Sequence, residues 1–334
     1  MSPSIASARP AVGASPWKKT PELVQTIELL LEHDTAGDPI TGLRWARRTP
    51  EKIAELLQQA GIAISTNTVA RLLHEMNYSL HVNHKQLATD SSPHRDQQFE
   101  HISTLRTCFA RRGLPLISVD TQKRELVGNF RNLGAKWDRF PDLVNDHDFR
   151  SDALGVAIPY GIYDPLANRG SVFVGVSHDT AAFAVHSIAG WWQREGLARY
   201  GHARRLLILA DTGGSNGCRC RAWKTELQAQ LCNRFTLTVT VAHYPTGASK
   251  WNPIEHRLFS EISKNWAGEP LDSYQKLLNF IRTTQTRTGL TVTAYLDRNH
   301  YATGVPIDPR LIRQLRLKPD ETLPTWNYTI APNL

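Results

Sequence analysis

The chain has 334 residues, of which 41% are hydrophobic and 8% aromatic, so it is long enough for one large globular domain and a smaller one. Its 39 lysines and arginines against 31 acids give a net charge of +8, which fits a polyanionic partner without establishing one. Its apolar runs are far shorter than the roughly 20 residues that cross a bilayer, no secretory leader is visible, and the four cysteines form no C-x-x-C pair. Membrane-spanning and disulfide-stapled secreted proteins are therefore excluded, and a cytoplasmic protein with reduced thiols is expected.

The N-terminal part of the chain changes composition near residue 20. Residues 1–19 are rich in Ser, Ala and Pro and are expected to be disordered. Residues 20–80 carry apolar side chains at helical spacing, with helix starts at Thr49-Pro50-Glu51 and at Ser65 or Thr66. Gly61 stands where a glycine would end the first of these two helices. This region is therefore predicted to be a small all-α region.

Two helices joined by a short turn predict a helix-turn-helix in residues 20–80. In that motif the second helix enters the DNA major groove by its N-terminal end, which would present Asn67, Thr68 and Arg71 to the bases and backbone. The alternative is a helix pair that serves only as a packing unit. Residues 81–112, which are polar and rich in His, Lys and Arg, are expected to form a linker and a connecting helix.

From residue 113 the pattern changes to short β-like runs that alternate with helices. Because the strands and helices alternate, the fold class is α/β, with a mixed five-stranded sheet flanked by helices over residues 113–300. Residues 301–334 are expected to form a C-terminal tail. The predicted strands cover residues 116–120, 125–130, 171–176, 206–211 and 235–241.

Three acids stand where such a fold would bring them together. Asp120 and Asp211 each end an apolar strand, where α/β sheets place ligands, and Glu255 begins a helix that follows the last strand. Carboxylates are the oxygen ligands that Mg²⁺ or Mn²⁺ takes, and two such ions can promote in-line displacement at phosphorus. The hypothesis is metal-dependent phosphoryl transfer on a polynucleotide, with Asp120 bridging both ions. The alternative for each strand-end Asp is a helix cap or a turn.

The loops beside these acids supply candidate DNA contacts. Ser215 and Asn216 lie in a glycine-rich loop after Asp211 that is suited to a phosphate oxygen, or is simply a turn. Lys250 and Asn252 are candidates for contacting the DNA backbone or for orienting the acid, and Trp251 for stacking on a base or for packing in the core. His243 and His256 are candidates for supporting the acids or donating to phosphate, with a structural histidine as the alternative for each.

Several separate segments, in the same order, resemble the Rhodopirellula-type bacterial insertion-sequence transposases of the DDE transposase and retroviral-integrase superfamily. The resemblance implies an RNase H-like catalytic fold in residues 113–300, two divalent ions, and Asp120, Asp211 and Glu255 as their ligands. Family members usually carry more sequence before the first helix, so a shortened N-terminus is expected here, and Thr212 replaces a usual glycine. The segments are residues 43–45, 68–73, 118–130, 157–164, 210–217, 247–259 and 326–330.

The leading functional hypothesis is a DDE transposase that binds the terminal inverted repeats of an insertion sequence in double-stranded DNA, as a homo-oligomer. It would cut the element ends, leave a 3′-hydroxyl, and join that hydroxyl to target DNA. One alternative is a truncated, catalytically silent DNA-binding relic that represses its element. Another is a structure-directed nuclease of the same fold, which would cut without joining.

Overall fold

A computed structural model describes residues 21–33, 35–37, 44–46, 49–76, 94–136 and 138–333. The predicted disordered segment, residues 1–19, and most of the predicted linker lie outside these ranges. The chain divides into two compact units, Met1–Gln86 and Leu87–Leu334, and each is described by itself. In the described part of the chain no helix is both long and apolar enough to cross a membrane.

The described residues of the first unit form three helices and a short antiparallel ribbon. The helices Pro50–Gln59 and Thr66–Glu75 begin at the predicted caps, where Thr49 accepts a hydrogen bond from the Lys52 backbone amide and Ser65 accepts one from the backbone amide of Thr68. Gly61, at φ +84°, turns the chain between them. The elements are α1 (Pro21–His33), β1 (Thr35–Gly37), β2 (Arg44–Ala46), α2 (Pro50–Gln59) and α3 (Thr66–Glu75). The apolar faces of the helices meet in a small core of Ile27, Ile53, Ala54, Leu57, Val69 and Leu72.

The second unit is built on one large mixed sheet. Its strands are β3 (Leu116–Thr121), β4 (Glu125–Val127), β5 (Gly155–Asp164), β6 (Arg169–Gly175), β7 (Arg205–Asp211), β8 (Thr238–Tyr244), β9 (Thr291–Asp297), β10 (Leu317–Pro319) and β11 (Asn327–Ile330). The order across the sheet is β10-β11-β8-β7-β3-β5-β6-β9, with β4 paired to β5. In the five neighbouring strands β8, β7, β3, β5 and β6, β5 is antiparallel to the other four. This is the RNase H-like arrangement predicted for this region.

Helices cover both faces of this sheet. They are α4 (Arg95–Arg111), α5 (Ala181–Trp191), α6 (Leu197–Tyr200), α7 (Arg221–Glu226), α8 (Ser260–Asn265), α9 (Tyr274–Arg282) and α10 (Pro309–Arg313). On one face α5 and α7 bury Trp191 and Trp223 against the strands. On the other, α4 packs Ile102 and Phe109 against β3, β7 and β8, and α8 and α9 cover β5, β6 and β9.

The sheet is larger than the predicted five strands, and its second strand lies elsewhere. The predicted strand over 125–130 is only the three-residue β4, and the hairpin partner of β3 is the ten-residue β5. Gly155, Pro159 and Gly161 make β5 look like a punctuated loop in the sequence, but the strand is mostly buried. The predicted C-terminal tail, residues 301–334, contributes α10 and the paired strands β10 and β11.

Gly161 is the point on β5 where the next layer comes closest. A Cβ atom at this position would overlap the ring of Phe259 and lie 2.9 Å from the Cδ1 of Ile254. These two residues lie on either side of Glu255 in the sequence. The missing side chain therefore lets the segment that carries Glu255 sit directly on the sheet.

Gly161→Ala is expected to lower the free energy of unfolding by about 1–3 kcal/mol, because the added methyl group overpacks this contact. Urea unfolding followed by tryptophan fluorescence measures the change. Gly213→Ala is the matched control, since nothing lies within 4 Å of the added Cβ and the backbone there is extended at φ −110°. Equal stability of the two variants would contradict the packing argument.

Candidate active site

The two aspartates stand side by side at one end of the sheet. Strands β3 and β7 are parallel neighbours in which Ser118 pairs with Leu209, and the same register continued by two residues aligns Asp120 with Asp211. Parallel strands end at the same edge, so both carboxylates leave the sheet at its carboxyl end. Glu255 follows β8 through a short helical turn, Ser249–Trp251, and begins the π-helical turn Glu255–Phe259.

All three acids have raised pKa values, and burial is the largest cause in each case. Burial raises the pKa of Asp120 to about 8, with the charges of Asp211 and Glu255 adding to the effect. Burial raises the pKa of Asp211 to about 6, and the Glu255 charge adds to this. The pKa of Glu255 is raised mainly by burial. The charge of His256 lowers the pKa of Glu255, but burial outweighs it.

The chemistry of this donor set fits divalent cations. The oxygens are hard ligands, and a cation between them would offset the repulsion that raises their pKa values. Across the described ranges no three His, Cys, Asp or Glu side chains are already drawn to metal-ligand spacing. A side-chain hydrogen bond nevertheless joins Asp120 to Glu255, and it raises the pKa of Asp120 and lowers that of Glu255.

Asn252 is the structural link between the two acid-bearing segments. The side chain is fully buried, and its Nδ2 lies 3.3 Å from Asp211 Oδ1 and 3.4 Å from the carbonyl oxygen of Val119. Ser118 donates its hydroxyl to Asn252 Oδ1 and accepts a 3.1 Å hydrogen bond from the amide of Ile254. The Asn252 side chain thus orients an acid from inside the protein, and its burial leaves no face for a DNA backbone contact.

A cleft of about 390 Å³ opens beside Asp120 and Asp211. It contains a fourth acid, Asp179, whose Oδ1 accepts a 3.2 Å hydrogen bond from the hydroxyl of Thr121. Ser215 lines the same cleft, and its buried hydroxyl has no partner among the described residues. Asn216 is also buried, but its Oδ1 accepts a 2.8 Å hydrogen bond from Tyr160 and so braces the loop rather than facing a ligand.

Outside the cleft, the exposed Lys250 and Trp251 form a row with the half-buried Arg95 and Phe99. Trp251 is 56% exposed and meets Phe99 of α4 edge to face, with 5.9 Å between ring centroids. The ammonium of Lys250 lies 5.6 Å from the Trp251 ring, and the guanidinium of Arg95 lies 5.5 Å from the Phe99 ring. Because a large exposed indole flanked by cations suits a nucleotide, this row is a candidate DNA contact.

The other predicted DNA contacts lie in the first compact unit, on α3. Asn67 and Arg71 are exposed, and Arg71 lies 4.0 Å from Glu75. The hydroxyl of Thr68 is 2.8 Å from that of Ser65, so it takes part in the helix cap. The exposed side chains of this helix end are therefore Asn67 and Arg71.

Comparison with protein families decides the class of protein. Residues 26–332 match the model of the Rhodopirellula transposase DDE domain, which covers most of the chain. The chain belongs to this transposase family. A search of curated protein sequences gave no match.

Solved structures similar to this transposase include two complexes of Mos1 and a viral intasome. The Mos1 transposase paired-end complex with left transposon end is 15% identical, with 84% of this chain and 73% of that chain covered at a TM-score of 0.42. The Mos1 mariner paired end complex with Mn gives the same values. The simian T-cell lymphotropic virus intasome in complex with PP2A regulatory subunit B56 gamma is 10% identical, with 78% of each chain covered at a TM-score of 0.26.

Two residues of the transposase's candidate active site were not predicted from its sequence. Ser118 lies inside an apolar run, and a polar residue within a buried strand was the available signal. Asp179 lies in the loop between β6 and α5, next to the α5 cap Thr180, and nothing in its spacing separates it from other loop acids.

In metal-free transposase, the raised pKa of Asp120 is expected to make stability fall as pH rises from about 4 to about 8. The sign follows because the folded state holds this proton more tightly than the unfolded state does. Asp120→Asn, which removes the charge, is expected to raise the free energy of unfolding at pH 8 in EDTA by on the order of 2 kcal/mol. Urea unfolding at pH 5 and pH 8 measures both effects.

Added Mg²⁺ is expected to stabilise the wild-type transposase at pH 8 and to have a much smaller effect on Asp120→Asn. Glu226→Gln is the control, because burial alone raises the pKa of that carboxyl. This control should keep the full response to Mg²⁺. An Asp120→Asn variant that is less stable than wild type in EDTA would show that the charges do not repel as described.

Proposed function

We propose that this transposase cuts the ends of an insertion sequence and transfers the freed strand into target DNA, using two divalent ions held by Asp120, Asp211 and Glu255. The observation that carries the proposal is a pair of partly buried aspartates at the carboxyl ends of neighbouring parallel strands, with Glu255 close enough to affect the pKa of both. Such a set is costly to fold without a cation, which is typical of a metal-ligand set rather than of a structural cluster.

Asp120, Asp211 and Glu255 would hold the ions, with Asp120 as the ligand that both would share. When bound, Mg²⁺ or Mn²⁺ would promote deprotonation of an attacking oxygen and neutralise the leaving oxygen in an in-line displacement at phosphorus. Water attacks first and breaks the bond from phosphorus to the 3′ oxygen, which leaves with a proton as a 3′-hydroxyl. That hydroxyl then attacks a target phosphate and releases a 3′-hydroxyl of the target.

The chain's own residues position this chemistry. The Asn252 amide holds Asp211 in one orientation, and Ser118 holds Asn252. Because the same serine accepts from the amide of Ile254, the residue before Glu255, the third acid is tied to the strand that carries the first. Preorganised ligands of this kind reduce the reorganisation that metal binding requires.

DNA recognition is proposed to involve both compact units. The helix-turn-helix of residues 20–80 would bind the terminal inverted repeats through Asn67 and Arg71, the exposed side chains at the start of α3. In the second unit, Lys250 and Trp251 would contact the DNA backbone and a base beside the cleft, and Ser215 would donate its free hydroxyl to a phosphate oxygen. Residues 113–300 form the proposed catalytic domain, which works as a homo-oligomer on double-stranded DNA.

Asp211→Asn is expected to abolish Mg²⁺-dependent cleavage of a labelled element end and strand transfer, while binding of that end stays within about twofold of wild type. The reason is that the substitution removes a ligand charge but keeps the oxygen that accepts from Asn252. Denaturing gels measure cleavage and joining, and gel shifts in EDTA measure binding.

Glu226→Gln serves as the control again and should cleave normally. Cleavage by Asp211→Asn at the wild-type rate would refute the assignment of the acids. A wild-type protein that binds ends but never cleaves them would instead identify a repressor relic, and one that cleaves without joining would identify a nuclease.

Trp251→Ala is expected to weaken binding of an element end by about 1–3 kcal/mol, since an exposed indole contributes on that order when a base stacks on it. Fluorescence anisotropy with a labelled duplex measures the change. Leu197→Ala removes another exposed apolar side chain, 42% accessible, and should leave affinity unaltered. Unchanged affinity in Trp251→Ala would remove this residue from the DNA interface.

A further inference from the structure

Behind Asp211 lies a chain of buried side chains that touches neither the cleft nor the surface. His243 is fully buried, with Nδ1 2.8 Å from the backbone carbonyl oxygen of Asp211 and Nε2 3.1 Å from the hydroxyl of Tyr328. The same hydroxyl lies 2.9 Å from Nε1 of Trp223, which is also fully buried. These hydrogen bonds therefore connect β7, β8, β11 and α7.

The donors and acceptors in this chain have one consistent direction. A carbonyl oxygen only accepts, so His243 Nδ1 carries the hydrogen and donates to Asp211. A neutral imidazole then has Nε2 as an acceptor, which the Tyr328 hydroxyl fills, and the indole of Trp223 can only donate to the Tyr328 oxygen. Each atom has one role, so the network fixes the ring, its tautomer and the carbonyl it holds.

The strand that supplies Tyr328 is itself firmly held. Trp326 accepts a 3.0 Å hydrogen bond at its carbonyl from the amide of His243. Asn327 and Gln98 of α4 exchange two side-chain hydrogen bonds of 2.7 Å, and Gln98 also donates to the carbonyl oxygen of His243. The segment 326–330, expected to be part of a tail, thus contacts the residue that in turn contacts Asp211.

We infer that His243 and Tyr328 are positioning residues for Asp211, and that the C-terminal strand β11 thereby sets the site's affinity for divalent ions. The inference rests on the proposed function, because it assigns Asp211 as a metal ligand. His243 fixes the peptide group of Asp211, and Asn252 fixes its carboxylate from the other side. Together they hold both ends of the residue, so loss of the His243 contact frees the backbone that aims the carboxylate.

Two substitutions at residue 243 separate its two hydrogen bonds. In His243→Asn the amide nitrogen replaces Nδ1, so donation to Asp211 is kept and the contact with Tyr328 is lost. In His243→Gln the longer side chain reaches the position of Nε2 and loses the contact with Asp211. The full-length variants are titrated with Mg²⁺ and with Mn²⁺ alone, by calorimetry and by the rise in thermal midpoint.

His243→Gln is expected to bind the ions about 10-fold more weakly than wild type, in the range found for residues that orient metal ligands, and His243→Asn, which keeps the donation to Asp211 but loses the support of Tyr328, to fall between the two. Equal affinities in the two variants would overturn the inference. A wild-type protein with no response to either ion would overturn the proposed function as well, so the two failures are distinguishable.

Tyr328→Phe provides a second test that keeps the aromatic packing, and it should bind the ions more weakly than the control Thr329→Val. The control removes a neighbouring hydroxyl, which lies 3.2 Å from the hydroxyl of Thr240 on the same pair of strands and away from Asp211. In metal-free protein, ¹⁵N NMR of His243 should show the hydrogen on Nδ1 in wild type. A single Nε2 tautomer in wild type would refute the assigned direction.

Discussion

The parallel pairing of β3 with β7 is the constraint on which the rest of the site depends. It brings two carboxylates to the same level at the edge of the sheet, where burial and like charge both oppose ionisation. The surrounding structure acts to hold this unfavourable arrangement in place. Asn252 and Ser118 do so from the loop that leads to Glu255, and His243 does so from the neighbouring strand.

The sequence was sufficient for the parts of the site that combine a hydrophobic run with a charge at its end. The runs before Asp120 and Asp211 are apolar on both faces, as buried parallel strands are, so their ends could be placed to within a residue. Glu255 was found because it follows a β-branched run and opens an amphipathic segment. For both aspartates the sequence pattern gives the position in the fold, because the apolar run that forms the strand also buries the acid at its end.

The sequence failed where tertiary contacts override local preference. Two glycines and a proline made the sequence of β5 resemble a loop. Gly161, however, leaves room for the Phe259 ring and does not form a turn. The strand β11 is only four residues long and carries Asn327 and Thr329, so nothing in its pattern marks it as part of a sheet. Its polar side chains also have partners 85 to 229 positions away in the chain, which no local pattern can reveal.

The way the sheet ends beside β11 has a consequence for solubility. Strand β8 begins with four alternating Thr and Val residues of strong β propensity, and its edge, if unpaired, would be a template for association with other chains. Strand β11 covers that edge, and β10, which covers β11, is three residues long and contains Lys318 and Pro319. A proline has no backbone hydrogen to offer and a lysine resists burial, so the ladder stops there and the protein is guarded against aggregation along this side.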